Sequence, residues 1–200
     1  MTQVVRSEFI LGGQKSGKSR RAEALAQNWL ASGPPHTAIL IATAQAFDDE
    51  LRARIERHRQ DRLLRVPGMV TIEEPFALSA AITQHSAPNT LIVVDCLTLW
   101  LTAQLMPPVF DAPQIDLATD SPAALVAWQT LATELCTAIK HAQGPIILVG
   151  NEIGLGVIPL GKDVRAFVDA LGLLNQSVAA VCERVTLMSA GLPLALKGTL

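Results

Sequence analysis

A glycine-rich tract near the N-terminus has the residue types and spacing needed to hold the phosphates of a nucleotide. It reads GGQKSGKS, and it follows the apolar run EFIL. The tract fits the pattern G-x-x-x-x-G-K-[ST], in which backbone N–H groups surround phosphate oxygens. Lys18 can reach the β and γ phosphates, and Ser19 can bind Mg²⁺. We therefore predict a phosphate-binding loop; an ordinary glycine-rich turn is the alternative. Its residues are Gly12, Gly13, Gln14, Lys15, Ser16, Gly17, Lys18 and Ser19.

A second candidate residue is the acid that ends another apolar run. Asp95 closes the segment TLIVVD, residues 90–95. An acid at the end of a strand in an open α/β sheet lies at the ligand crevice, where it can hold the magnesium ion of a bound nucleotide. A structural role is also open, because Asp95 could cap a helix formed by the following CLTLWL. The two roles are compatible.

The third concentration of chemistry is the charged segment AFDDELRARIERHRQDR. Arg54, His58 and Arg62 recur at intervals of four residues and so share one helical face. One interpretation is a solvated helix with acids at its N-terminus and arginines in its later turns. The other is that the guanidinium groups hold phosphates while His58 attacks phosphorus, its pKa being lowered by the positive charges beside it.

The elements that must position these residues alternate between strands and helices. Nearly continuous apolar runs predict parallel strands covered on both faces, and the segments between them have helical character. We therefore predict an α/β sandwich with a mainly parallel sheet and a short antiparallel C-terminal edge strand. Strands are expected at 8–11, 37–42, 69–72, 90–95, 145–150, 184–189 and 193–197, and helices at 18–31, 48–62, 76–86, 120–142 and 162–182.

Length and composition limit the class of protein. The chain has 200 residues, half of them hydrophobic, and a net charge of −2. This predicts one domain over residues 1–200 and no nucleic-acid partner. The scattered cysteines and the absence of a signal-like or membrane-spanning segment predict a cytoplasmic protein. The proline-rich segment 107–122 is predicted to be a loop excursion, either a lid or a surface loop.

Together, the motifs resemble one enzyme family. The segments GGQKSGKSRRAEALA, IATAQAFDDELRARIERHR, EEP, LIVVDCLTLWLT and VGNEIGLGVIP, followed by RAFVDALGLLNQ, are similar to those of the bifunctional adenosylcobinamide kinase / adenosylcobinamide-phosphate guanylyltransferases of cobalamin synthesis. The resemblance implies a P-loop α/β fold of the RecA-like type and two reactions. ATP or GTP first phosphorylates adenosylcobinamide. A guanylylated histidine then passes GMP from GTP to adenosylcobinamide phosphate, and pyrophosphate is released.

The resemblance also assigns site residues. It implies that His58, in the segment R-I-x-x-H, is the nucleophile, and that Lys18 acts in catalysis. Ser19 and Asp95 would hold Mg²⁺, and the remaining nucleotide contacts would come from Ala42, Thr43, Ala44, Arg54, Arg59, Gln60, Asp61, Arg62 and Glu73. The family further implies a homo-oligomer, expected to be a homotrimer.

Two positions depart from the family pattern. The family reads R-F-R-D-x-x-G-R-x-N-Q near its C-terminus, whereas this chain has Val168 and Leu173 where arginines are expected. Those arginines would bind the corrinoid or the transferred phosphate, or else lie at surface or subunit-contact positions. Two other functions therefore stay open: a P-loop kinase with one activity, and a nucleotide-dependent assembly module of the RecA-like type.

Overall fold

The computed structural model describes residues 4–45, 49–105 and 122–200, without the side chains of residues 49–51, 54, 55, 58 and 122–127. Strands and helices alternate along the chain. They are β1 (Ser7–Gly12), α1 (Lys18–Ala31), β2 (Thr37–Ala42), α2 (Asp49–Arg65), β3 (Met69–Glu73), α3 (Leu78–His85), β4 (Thr90–Asp95), α4 (Leu97–Leu105), α5 (Pro122–His141), β5 (Ile146–Val149), α6 (Lys162–Val181), β6 (Arg184–Ser189) and β7 (Leu192–Lys197).

The strands form one seven-stranded sheet with the order β3-β2-β4-β5-β1-β6-β7. The pairings among β1 to β6 are parallel, and β7 pairs with β6 in antiparallel orientation. The predicted α/β class, parallel sheet and antiparallel edge strand are therefore confirmed. The segment predicted as an excursion, residues 107–122, lies outside the described residues except for Pro122.

Helices cover both faces of the sheet because alternate residues of its central strands are apolar on both sides. Phe9 and Ile92 face a core that also contains buried residues of α3, α4, α5 and α6. Ile10 and Val93, the next residue of each strand, face a second core built with α1. This two-sided burial explains why the strands read as unbroken apolar runs.

Three helices differ from their predicted form by more than one residue at a described end. The short helix α4 was expected only as the segment that Asp95 might cap, because its apolar residues lie all round it and give no helical period. Helix α2 continues to Arg65, three residues past its predicted end. Helix α3 begins at Leu78 instead of residue 76, since the Glu74 carboxylate accepts the N–H groups of Phe76 and Ala77 at 2.9 and 2.8 Å.

Helix α6 is the one element of the described chain that is long and apolar enough, by length and composition alone, to cross a membrane. Its buried residues Ala170, Leu171, Leu174 and Val178 belong to the core on one face of the sheet. This is the placement of an amphipathic helix packed on a sheet, so the helix is weak evidence for a membrane span.

An ionic network joins three elements at the amino end of β1. Glu8 is 1% exposed. Its carboxylate lies 2.8 Å from Arg21 Nε of α1 and 3.0 Å from an Arg184 guanidinium nitrogen of β6, and it accepts a 2.8 Å hydrogen bond from Thr186 Oγ1. A buried carboxylate needs such partners. The network lies at the end of β1 opposite the phosphate-binding loop.

Candidate active site

The predicted phosphate-binding loop connects the carboxyl end of β1 to the first residue of α1. Gly12, Lys15 and Gly17 have φ values of 151°, 57° and 102°. A Cβ at Gly12 would collide with the carbonyl oxygen of Met188 and would lie 2.6 Å from Ser16 Oγ. The backbone conformation therefore requires glycine at this position. Residues with positive φ in such a loop can turn backbone N–H groups toward a common point, which is the general geometry of an anion-binding loop.

Lys18 is held over this loop. Its side chain is 8% exposed, and Nζ donates a 2.6 Å hydrogen bond to the carbonyl oxygen of Gly13. Burial lowers the pKa of Lys18, while Cys96 and Asp95 oppose that shift electrostatically. The two residues predicted to bind phosphate and magnesium, Lys18 and Asp95, therefore lie within electrostatic reach of each other. A phosphate group beside Lys18 would favour its charged form.

The carboxyl ends of β2 and β4 are joined by Thr43. This residue is fully buried, and its backbone N–H donates to the Asp95 carbonyl at 3.2 Å. Its hydroxyl donates to the Cys96 carbonyl at 2.7 Å and accepts the Cys96 N–H at 2.9 Å. Thr43 thus fixes the backbone on both sides of the Asp95–Cys96 peptide.

The carboxyl end of β5 is joined to the same edge. In the sheet order, β5 lies between β1 and β4. The N–H of Asn151 donates to Thr98 Oγ1 at 2.9 Å, and the N–H of Glu152 donates to the Gly12 carbonyl at 3.3 Å. Asn175 of α6 donates through Nδ2 to the Asn151 carbonyl at 3.0 Å and to Glu152 Oε2 at 3.4 Å. The phosphate-binding loop therefore faces a crevice edge built from four neighbouring strand ends.

Helix α2 is attached to α1 through ion pairs at its C-terminal end. Glu23 of α1 lies 2.7 Å from a guanidinium nitrogen of Arg65 and 3.8 Å from Arg62 Nε. Arg65 also pairs with Asp61 at 3.1 Å. Part of α2 therefore fits the interpretation in which this segment is a solvated, salt-bridged helix. The side chains of Arg54 and His58 lie outside the described part of the structure.

The other residues assigned by resemblance are placed less centrally. Ala42 ends β2, and its carbonyl accepts the N–H of Glu74 at 2.9 Å. Glu73 is exposed at the end of β3, an edge strand separated from β4 by β2. Arg59 and Gln60 are exposed on α2, where Gln60 Nε2 donates to the Glu56 carboxylate at 2.7 Å. Their contacts with a nucleotide stay predictions.

Three polar residues at the crevice had no assigned role in the sequence analysis. Glu152 had a usable signal, because it lies two residues after the apolar strand run PIILVG, much as Asp95 directly follows LIVV. Asn175 and Thr98 had no such signal, since their contacts depend on how α6 and α4 pack. All three share the crevice edge with the phosphate-binding loop.

The chain is similar to proteins of one family over nearly its whole length. The model of the family "Cobinamide kinase / cobinamide phosphate guanyltransferase" matches residues 8–196. The bifunctional adenosylcobalamin biosynthesis protein CobP of Pseudomonas aeruginosa is 43% identical over 96% of this chain and 97% of its own length. The bifunctional adenosylcobalamin biosynthesis protein CobU of Escherichia coli is 33% identical over 94% of this chain and 98% of its own.

A solved structure shares the fold at low sequence identity. The flagellar accessory protein FlaH from Methanocaldococcus jannaschii superposes with a TM-score of 0.51 and 12% identity, over 98% of this chain and 79% of that one. At this identity the similarity concerns the fold alone.

Proposed function

The chain belongs to the cobinamide kinase / cobinamide phosphate guanyltransferase family, and from this membership we propose that it carries out both reactions. It phosphorylates adenosylcobinamide with ATP or GTP, and then converts adenosylcobinamide phosphate and GTP to adenosylcobinamide-GDP and pyrophosphate. The observation that carries the proposal is that Lys18 follows β1 and Asp95 ends β4, at the same carboxyl edge of one parallel sheet, in a chain that matches the family over residues 8–196.

In the first reaction, the hydroxyl oxygen of adenosylcobinamide attacks the γ-phosphorus of the nucleotide. The bond from the γ-phosphorus to the β,γ-bridging oxygen breaks, and the nucleoside diphosphate leaves. We assign binding of the β and γ phosphates to the N–H groups of residues 12–19 and to Lys18, whose buried ammonium would meet the charge that develops on the transferred group. This use of Lys18 agrees with its position over the loop, 2.6 Å from the Gly13 carbonyl.

Mg²⁺ suits the oxygen donors at this edge. The Ser19 hydroxyl at the start of α1 and the Asp95 carboxylate at the end of β4 are the hard ligands that magnesium prefers. Within the described ranges, no group of three or more His, Cys, Asp or Glu side chains could hold a metal ion. We therefore assign the ion to Ser19, Asp95 and the nucleotide's own phosphates, where it would offset triphosphate charge.

In the second reaction, a ring nitrogen of His58 attacks the α-phosphorus of GTP and pyrophosphate leaves, which produces a phosphoramidate. A phosphate oxygen of adenosylcobinamide phosphate then attacks the same phosphorus, the N–P bond breaks, and GMP is transferred. Two displacements let each substrate occupy the site in turn. Helix α2, which carries His58, is attached to α1 through Glu23, and α1 begins at the phosphate-binding loop.

We assign further nucleotide contacts to residues at the ends of β2 and β3 and on α2, as in the family: Ala42, Thr43, Ala44, Arg54, Arg59, Gln60, Asp61, Arg62 and Glu73. We also propose that residues 1–200 act as one domain, in the cytoplasm, and as a homotrimer. Light scattering of the purified protein measures its oligomeric state. A monomeric mass at working concentration would contradict the trimer.

The decisive experiment is covalent labelling. Purified protein is incubated with Mg²⁺ and GTP labelled at the α-phosphate, denatured, and tested for acid-labile, alkali-stable label. We expect label on the wild type and on His141→Ala, a control at the exposed end of α5, and none on His58→Ala. The His58→Ala protein should still phosphorylate adenosylcobinamide.

Three results would contradict the proposal. Equal label on His58→Ala would exclude His58 as the nucleophile. Loss of both activities in a folded His58→Ala protein would contradict a separate nucleophile role. A folded wild type that binds GTP but takes no label, while phosphorylating the corrinoid, would leave a kinase with one activity.

A further inference from the structure

Glu152 lies at the same carboxyl edge of the sheet as the phosphate-binding loop. It is three residues beyond the end of β5, the strand between the phosphate-loop strand β1 and the Asp95 strand β4. Its N–H is bonded to the carbonyl of Gly12, the first residue of the loop, at 3.3 Å. A residue placed between the phosphate-binding and metal-binding strand ends faces the ligand crevice of a parallel sheet.

The carboxylate of Glu152 is oriented but not neutralised. Oε1 accepts the N–H of Gly154 at 3.0 Å, and Oε2 accepts Asn175 Nδ2 at 3.4 Å. Asn175 is itself 5% exposed and is fixed by its bond to the Asn151 carbonyl. Among the ion pairs of the described residues, none involves Glu152. Each oxygen therefore keeps a lone pair that can accept a proton.

Space for an acceptor exists beside this carboxylate. Glu152 is half-buried and borders an open groove of about 400 Å³ between α6 and the strands β1, β6 and β7, which is also lined by Leu11, Asn175, Gln176 and Lys197. Mixed apolar walls with a few polar groups are typical of small-molecule sites. A hydroxyl-bearing arm that entered this groove would bring its oxygen to the carboxylate.

We propose that Glu152 is the general base of the phosphoryl-transfer reaction. As the acceptor oxygen forms its bond to the γ-phosphorus, its proton passes to a carboxylate oxygen of Glu152, and the electron pair of the breaking P–O bond leaves with the nucleoside diphosphate. Asn175 is a positioning residue that holds the carboxylate. The inference rests on the proposed function. It also predicts different effects on the two reactions. Guanylylation of His58 and attack by a phosphate oxygen do not require a base to remove a proton from an acceptor hydroxyl.

The test is Glu152→Gln, measured in both reactions. The amide keeps an acceptor oxygen for the Gly154 N–H but is not a base. We expect kcat for phosphorylation of adenosylcobinamide to fall by about 10²–10⁴-fold, the usual contribution of a general base. The KM for the nucleotide and the rate of labelling with α-labelled GTP should match the wild type. Glu134→Gln, an exposed carboxylate change on α5, is the matched control and should alter neither reaction.

Comparison of the two reactions separates a catalytic role from a structural one. Kinase activity of Glu152→Gln within about tenfold of wild type would overturn the proposal. Equal loss of guanylylation and phosphorylation would also overturn it, because that result indicates a nucleotide-binding or structural role. A wild type without kinase activity would instead overturn the proposed function on which the inference rests.

Discussion

Replacing Thr43 with valine should destabilise the protein through the backbone beside Asp95. Valine keeps the shape of threonine at a fully buried position but removes both hydrogen bonds to Cys96, the donor bond of 2.7 Å and the acceptor bond of 2.9 Å. The N–H of Cys96 would lose its partner in a residue that is 7% exposed, whereas the Cys96 carbonyl keeps the N–H of Trp100, which donates to it at 3.1 Å. The perturbation therefore acts on the β2–β4 junction and leaves no cavity.

The magnitude follows from the one orphaned group. A buried backbone N–H left without a partner costs about 1–3 kcal/mol, and the carbonyl, which keeps a partner, adds little. We expect the free energy of unfolding to fall by about 1–3 kcal/mol for Thr43→Val. At this chain length the loss corresponds to a Tm lower by about 2–12 °C. Thr43→Ser keeps both bonds and loses one methyl group, so it should cost only about 1 kcal/mol.

Urea denaturation followed by circular dichroism measures these differences. Thr43→Val should lower the midpoint without changing the slope m, since the surface exposed on unfolding is the same. Both activities should also weaken, because Asp95 would lose its fixed neighbour. A loss below about 0.5 kcal/mol for Thr43→Val, which is the size of an ordinary surface change, would refute the reasoning. An equal loss for Thr43→Ser would refute it as well, because the methyl group would then be responsible.

Two further substitutions and one thiol-modification experiment test the loop and the core. Lys18→Ala should lower nucleotide use in both reactions by about 10²-fold or more, and unaltered steady-state kinetics would remove the loop from the mechanism. Gly12→Ala places a Cβ against the Met188 carbonyl, so calorimetry should show a lower Tm and weakened nucleotide binding; wild-type values for both would be contrary to the geometry. Burial raises the pKa of the Cys182 thiol to about 12, so a thiol reagent at about pH 8 should modify it only when urea unfolds the protein. Rapid modification without urea, located by mass spectrometry, would contradict that burial.

The sheet was predictable because the central strands consist almost entirely of apolar residues, which indicates burial on both faces. The run TLIVVD has apolar side chains on both faces. This pattern is typical of a parallel strand that is covered by helices on both sides of the sheet. The edge strand β7 was also predictable, since a glycine, Gly191, stands just before it and permits a tight return. In the structure Gly191 has a φ of 81°. Helix α4 was harder to identify, because apolar residues all round a short segment give no period that separates helix from strand.

The site was predictable where it is local in sequence and not where it depends on packing. The phosphate-binding loop and Asp95 each follow a strand run directly, so a motif and a run of apolar residues suffice to find them. The hydroxyl of Thr43 meets Cys96 across 53 positions of the chain, and Asn175 meets Glu152 across 23. Such contacts follow from strand order and from the position of α6, which no short pattern contains.

The proposed bifunctionality requires that the His58 helix keep a fixed relation to the phosphate-binding loop. Helix α1 begins at Lys18 inside that loop, and five residues later Glu23 pairs with Arg62 and Arg65 of α2. Arg62 lies four residues, about one helical turn, after His58. One helix therefore carries both the lysine assigned to the β and γ phosphates and the carboxylate that anchors the helix of the proposed nucleophile. Because a triphosphate places its α-phosphorus a short, fixed distance from its γ-phosphorus, this coupling of α1 and α2 is what two reactions at one nucleotide site, each with its own bound triphosphate, would need.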